Sequence, residues 1–239
     1  RKFINMYLMK DGTAFTDKFK TEWQTMPFTE EVKDRDPRLA QSIRTPGYKR
    51  IGAKRVQGPD LGVTITGYQP IKFVQDTTAS GGQIDRNDRS TCDMPVFRYA
   101  EVLLNYAEAM NEAYGPDQAP GDYALTALDA LQLVRDRASL QLPIVTAATR
   151  DEFREAVKHE RRIELAFEDH RYWDLLRWKD AMEVLNKPVR GVKVTKTGEG
   201  KWSYTQTEVA TRTFLERNYY MPFTRSEVEN SNHTLEQNP

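Results

Sequence analysis

The sequence predicts a mainly α protein built from antiparallel helix pairs, with long irregular loops and one small β-hairpin. Three observations lead there. From Pro95 to about residue 185 apolar residues recur at spacings of three and four, residues 1–93 are broken up by turn dipeptides, and the chain alternates on either side of Gly198-Glu199-Gly200.

Residues 1–93 carry turn signals at Asp11-Gly12, Asp36-Pro37, Pro46-Gly47, Gly58-Pro59, Tyr68-Gln69-Pro70 and Gly81-Gly82. The stretch Gly62–Gly67, GVTITG, reads as the best short strand of this region. GGQIDRNDRS at 81–90 places Asp85, Asn87 and Asp88 like the start of a calcium loop, but the turn glycine and closing glutamate are missing, so it reads as a solvated loop. Next, Val96, Tyr99, Ala100, Leu103, Ala107, Met110 and Ala113 mark an amphipathic helix that Gly115-Pro116 ends. Leu125, Leu128, Leu131, Val134 and Ala138 mark a second helix over 123–140, and the short connection sets the two antiparallel. A third helix starts at TRDE, where Thr149 and Glu152 can satisfy each other's exposed backbone donors. It turns Phe153, Ala156, Val157, Ile163, Ala166 and Phe167 inward and breaks at Asp169-His170. The boundaries are therefore a loop-rich segment at 1–93, a helical core at 94–185, and a hairpin with its tail at 186–239.

At 239 residues and 27.7 kDa, with 38% hydrophobic and 10% aromatic content, the chain has enough apolar matter for a substantial core. Lys plus Arg and Asp plus Glu both number 35, so no overall field draws in nucleic acid or an anionic membrane. The single cysteine, Cys92, cannot form an intramolecular disulfide and reads as a small apolar residue ahead of a helix. There is no run of 18 apolar residues, and the opening RKFINMYLMKDG has neither an initiator Met nor a signal pattern.

The catalytic motifs fail on inspection. His159-Glu160 begins the zinc-protease pattern HExxH, but Ile163 occupies the second histidine position. TGEGKWS approximates a phosphate-cradling loop, yet Thr195 replaces its first glycine and Trp202 its hydroxyl residue. His159, His170 and His233 fall on different elements, so no nucleophile, base and acid group together. No catalytic residue, metal ligand or cofactor is expected.

The densest chemistry lies at 160–181, ERRIELAFEDHRYWDLLRWKDA. Arg161 and Glu164 are three apart, and Arg171, Asp174 and Arg177 continue at the same spacing, so charges of opposite sign interleave along a helix. Glu160, Glu164 and Arg171 lie on or beside the apolar face. They are expected as buried pairs, with guanidinium planes laid on an aromatic face such as Tyr172 or Trp173. A ladder of neutralised pairs offers no free acid or base.

The same stretch resembles the ERRxELaFEgxRxxDLxRW signature of the SusD/RagB family. MKDG at 9–12, DRDPRLAQSIRTPG at 34–47, PVFRYAEVLLNYAEAMNE at 95–112, ALDALQLVRDRASL at 127–140 and MPFTRSEVENSNHTLEQNP at 221–239 follow in the family's order. Two departures stand out: Asp169 sits where the family often has glycine, and MPF replaces PIP. The resemblance implies tetratricopeptide-like helix pairs, and that the chain is the C-terminal portion of a longer protein whose N-terminal half lies upstream. It further implies a non-enzymatic protein on the outer-membrane surface, held by an N-terminal lipid outside this chain. Such a protein captures oligosaccharides, or in some members peptides, for a SusC-like TonB-dependent transporter; a helical scaffold that binds only protein is the rival reading.

Sugar rings stack on exposed aromatics while polar groups bond their hydroxyls, so loop-borne rings are the candidate ligand residues: Trp23, Tyr48, Tyr68, Trp202 and Tyr204. Trp202 and Tyr204 share one face of the hairpin, being two residues apart. Trp173 and Trp178, which belong to the signature, are expected to pack.

Overall fold

The computed structural model describes residues 1–58, 60, 63–74, 92–199, 201–232 and 234–238. The calcium-like loop with Asp85, Asn87 and Asp88, the turn residue Gly200, and His233 lie outside the described residues. The first segment holds four short helices, α1 (Lys2–Asn5), α2 (Phe15–Phe19), α3 (Phe28–Glu31) and α4 (Pro37–Ser42). The helical centre follows with α5 (Tyr99–Tyr114), α6 (Ala127–Arg135), α7 (Arg150–Glu164), α8 (His170–Arg177) and α9 (Ala181–Leu185). β1 (Val189–Gly198) and β2 (Lys201–Ala210) form an antiparallel hairpin, and α10 (Arg225–Asn230) lies in the tail. No helix among the described residues is long and apolar enough to cross a membrane.

Helices as short as α1 to α4 do not stand on their own hydrogen bonds, because nucleation is costly and few bonds repay it. Buried arginines tie them down. The Arg35 guanidinium donates to the carbonyls of Ile4 at 2.7 Å, Tyr7 at 2.6 Å and Glu31 at 2.5 Å, and lies 3.8 Å over the Phe15 ring. Burial pulls Arg35 down to about 10, so it keeps its charge at neutral pH. In α4, Asp36 caps the helix by accepting from Arg38 N at 2.9 Å, and Pro37 supplies the preset first helical position.

α5, α6 and α7 share one core in which Leu104, Ala107, Ala130, Leu131 and Phe153 are fully buried. Burying a side chain the size of Leu or Phe contributes about 1.5–3 kcal/mol. Both α6 and α7 begin with a capping box, Thr126 with Asp129 and Thr149 with Glu152. Glu152 accepts from Thr149 N at 3.1 Å and Thr149 Oγ1 from Glu152 N at 3.2 Å, as TRDE predicts.

Several expectations are corrected at the ends. The first long helix starts at Tyr99 rather than Val96, leaving Val96 79% and Tyr99 70% exposed, and Ala113 is exposed as well. α6 ends at Arg135, so Ala138 is exposed and contributes nothing to the core. Phe167 sits in the turn between α7 and α8 with φ 63° and is 45% exposed, because that backbone conformation swings it off the helix face. The region 63–67 of GVTITG is turn and bend rather than strand, and its tie to the hairpin is one bond from Val192 N to Thr66 O at 3.0 Å.

A two-stranded hairpin is marginal alone and needs a surface to pack on. Val192 pairs with Gln206, Val194 with Tyr204 and Lys196 with Trp202, so these six residues occupy one face. Val192 is 4% exposed in a second cluster with Ile4, Tyr7, Phe28, Leu39, Ile43, Tyr68 and Ile163, and Val194 and Tyr204 lie against it. Gly191 permits this docking: a Cβ there would meet Thr66 Cα and O at 2.7 Å.

Candidate functional site

The charged segment resolves mostly into pairs between elements, with Asp174 and Arg177 pairing along α8 at the predicted spacing. Glu160, 1% exposed, accepts from Arg38 and, at 2.7 Å, from Arg135. Glu164, 4% exposed, accepts from Arg98 at 2.7 Å, Arg38 at 3.0 Å and the Arg137 fork at 2.8 and 2.9 Å. Arg161 does not pair with Glu164 as the spacing predicts, but grips Asp174 with two bonds of 3.1 Å, and Arg177 holds the same carboxylate at 2.9 Å. Three-residue spacing brings side chains near each other, but a buried Arg is satisfied by whichever carboxylate meets its fork. Burial alone would raise the Glu164 carboxyl; the Arg98 bond and the charges of Arg38 and Arg137 hold it below its ordinary value.

The signature tryptophans part company. Trp178 donates Nε1 to Glu108 at 2.8 Å beneath the Arg177 guanidinium, 4.6 Å from the ring centre. Trp173 is 52% exposed against Tyr172, so the guanidinium stack expected on those two rings forms on Trp178 instead. Sequence periodicity missed this because Trp173 precedes the buried Asp174 and points away with its neighbour Tyr172.

Trp23 lies on a single 3-10 turn, Glu22–Gln24, that sits against β2. There it walls a cavity of about 540 Å³ together with Asn5, His159, Lys187, Arg190 and Gln206, and Met6, Leu8 and Ala14 make its apolar part. The Arg1 guanidinium lies 5.6 Å from the Trp23 ring centre. Burial, more than its charged neighbours, lowers His159 below 6.5, which leaves a neutral imidazole at the cavity wall at neutral pH. The buried Asn5 Oδ1 has no hydrogen-bond partner among the described residues. An aromatic wall beside the neutral polar groups of Asn5, His159 and Gln206, in a cavity that Lys2, Lys187 and Arg190 also line, suits a ligand that is apolar on its faces and hydroxylated at its rim.

The other aromatic candidates stand apart from Trp23. Tyr204 is half-buried against the second core cluster, and Trp202, 53% exposed, stands near the hairpin tip, about 13 Å along β2 from Gln206. Tyr68 is 6% exposed, its hydroxyl donates to Glu31 at 2.9 Å, and it lines a neighbouring cleft rather than the Trp23 cavity. Tyr48 is half-buried with Arg44 6.0 Å over its ring, and it does not line the Trp23 cavity. Asn5, Gln206, Lys187 and Arg190 carry no sequence signal of their own; only their convergence singles them out. No group of three or more His, Cys, Asp or Glu residues able to hold a metal ion occurs among the described residues.

With helical frame, paired carboxylates and aromatic-walled cavity in place, the comparisons define the class. The family model described as the SusD family matches residues 1–239, and the chain belongs to that family. SusD-like protein P38 of Formosa agariphila is 35% identical over 107 residues, covering 41% of this chain and 19% of the relative. A SusD-like protein from Bacteroides fragilis superposes with TM-score 0.76 at 25% identity, covering 99% of this chain and 46% of that one. A second solved structure from Bacteroides fragilis, described as a SusD-like carbohydrate-binding protein, gives TM-score 0.69 at 32% identity, covering 95% and 46%. The chain therefore spans less than half the length of each of these relatives.

Proposed function

We propose that this chain is part of a surface protein that binds oligosaccharides without cleaving them, with the Trp23 cavity as a sugar-contacting site. The observation that carries this reading is one aromatic wall in a cavity with neutral polar groups at Asn5, His159 and Gln206, while the buried carboxylates among the described residues are bonded to arginines. Stacking and hydroxyl bonding need such a wall, and hydrolysis needs an available acid and base. Trp202 offers a second ring farther along the hairpin, within reach of an extended ligand. Membership of the SusD family and the carbohydrate-binding description of the second solved relative support the ligand class. By the same reasoning the protein works beside a SusC-like TonB-dependent transporter at the outer membrane, anchored by a lipid that lies outside this chain.

Calorimetric titration with neutral plant, host and microbial oligosaccharides tests this. Binding in the micromolar to millimolar range, about 4 to 8 kcal/mol, is expected for at least one of them, with no new reducing ends. Trp23→Ala weakens it about tenfold. Tight capture of peptides with no heat from any sugar moves the function to peptide uptake, and product formation makes the protein an enzyme.

A further inference from the structure

Beside the Trp23 cavity lies a second cleft of about 480 Å³, lined by Arg1, Lys2, Arg162, Lys187, Arg190 and Arg212 and by no acidic side chain among the described residues. The two clefts share Lys2, Lys187, Pro188 and Arg190, so they are contiguous. We infer that this cleft is a subsite for an acidic sugar unit, taking up its carboxylate or sulfate ester next to the sugar stacked at Trp23. The inference rests on the glycan reading above and adds the charge class of the ligand.

Overall composition does not explain such a concentration, since basic and acidic residues are equal at 35 each. Nor does the pairing habit of this protein. Arg38, Arg98, Arg135, Arg137, Arg161 and Arg177 all hold carboxylates. In the cleft Arg1 holds Glu31 and Lys187 holds Glu183, which Lys2 feels only at longer range, and Arg162 and Arg190 have no carboxylate partner among the described residues. Arg212 reaches only the Lys187 carbonyl, at 3.5 Å. Arg162 is the sharpest case. It is half-buried on α7, beside Arg161 with its three bonds to Asp174 and Asn105, yet its one aromatic contact among the described residues is the Phe3 ring at 5.9 Å. Burial first, then the charges of Arg171 and Arg212, pulls it down to about 10, so it stays cationic while its neighbours repel it. A desolvated, unpaired guanidinium is costly, and the planar fork bonds carboxylate or sulfate oxygens in pairs. A bound anion therefore relieves the repulsion and satisfies the fork together.

The test uses two matched pairs of oligosaccharides: a tetragalacturonate with its methyl ester, and a sulfated galactan tetrasaccharide with its desulfated form. Calorimetry on the full chain at low salt is expected to show one acidic member binding at least about tenfold tighter than its neutral partner, with the gap shrinking at about 300 mM salt. The pair that shows the gap identifies carboxylate or sulfate. Arg162→Gln and the exposed Arg212→Gln should each cut the preference at least about fivefold, whereas Trp23→Ala weakens both members alike. Arg212→Gln, checked for an unchanged melting temperature, guards against misfolding of the half-buried variant. Equal binding of acidic and neutral members, or a preference that survives both arginine variants, overturns the subsite and leaves the glycan reading standing. If no sugar binds but a poly-glutamate peptide does, both fail and the cleft belongs to an acidic protein surface.

Discussion

Glu164 illustrates how single residues hold this molecule together: one buried carboxylate answers Arg38, Arg98 and Arg137, which come from three separate parts of the chain. Glu164→Gln leaves those guanidinium groups short of a charge in a dry site, a loss of about 3 kcal/mol in urea unfolding, read as a lower midpoint at unchanged slope. The same carboxyl fixes a pH dependence. Its folded-state value lies below the ordinary 4.5, so its contribution is complete above that value and is lost as pH falls through the folded one. Glu108 acts in the same direction: burial opposes ionisation, and the Arg177 and Trp178 bonds outweigh it. Stability measured from about pH 5 down to about pH 3 should decline, and Glu164→Gln should flatten that decline. That these charges are buried pairs was legible in the sequence, because they fall on the apolar face of a periodic helix. Their partners were not: Arg38 and Glu164 are 126 positions apart, and periodicity says nothing about contacts at that range.

Among the elements, helix boundaries were legible where a cap or a breaker marks them, as Thr149 does for α7 and Gly115 for α5, and were misplaced elsewhere. Thr149 and Glu152 announce α7 by a reciprocal bond between near neighbours, whereas the start of α5 was placed too early because Val96 keeps the helical spacing while standing in solvent. At the break between α7 and α8, Asp169 adopts φ 64° and makes no side-chain capping bond to α8. Glycine takes that conformation at no steric cost, so Asp169→Gly should raise stability by about 0.5 kcal/mol, seen as a higher melting temperature. The hairpin hangs on a different glycine. Gly191→Ala forces a Cβ to 2.7 Å from the Thr66 backbone, costs about 2 kcal/mol, and should speed hydrogen exchange at the Val192 N–H. GVTITG has strand-like composition, but among the described residues its ladder-like bond goes to β1, which no local pattern reveals.

At the scale of the whole molecule, the arginine-carboxylate network and the Trp23 cavity divide the labour. α7 contributes to both, burying Glu160 and Glu164 among arginines while His159 faces the cavity. The rings named from sequence were chosen for standing in loops, which identifies exposed candidates but cannot tell which converge. Trp23 meets Gln206 only because the 3-10 turn and β2 are brought side by side across nearly the whole chain. Rigidity in the pairs and openness at the cavity are what the proposed capture without cleavage requires. The most direct measurement is fluorine NMR of the chain with fluorotryptophan at its four tryptophans, Trp23, Trp173, Trp178 and Trp202, during titration with the tightest-binding oligosaccharide. The account predicts that the Trp23 resonance moves with saturation while Trp178, held between Glu108 and Arg177, stays in place. Movement of Trp178 with Trp23 unchanged would contradict it, by placing the ligand on the ion-pair network.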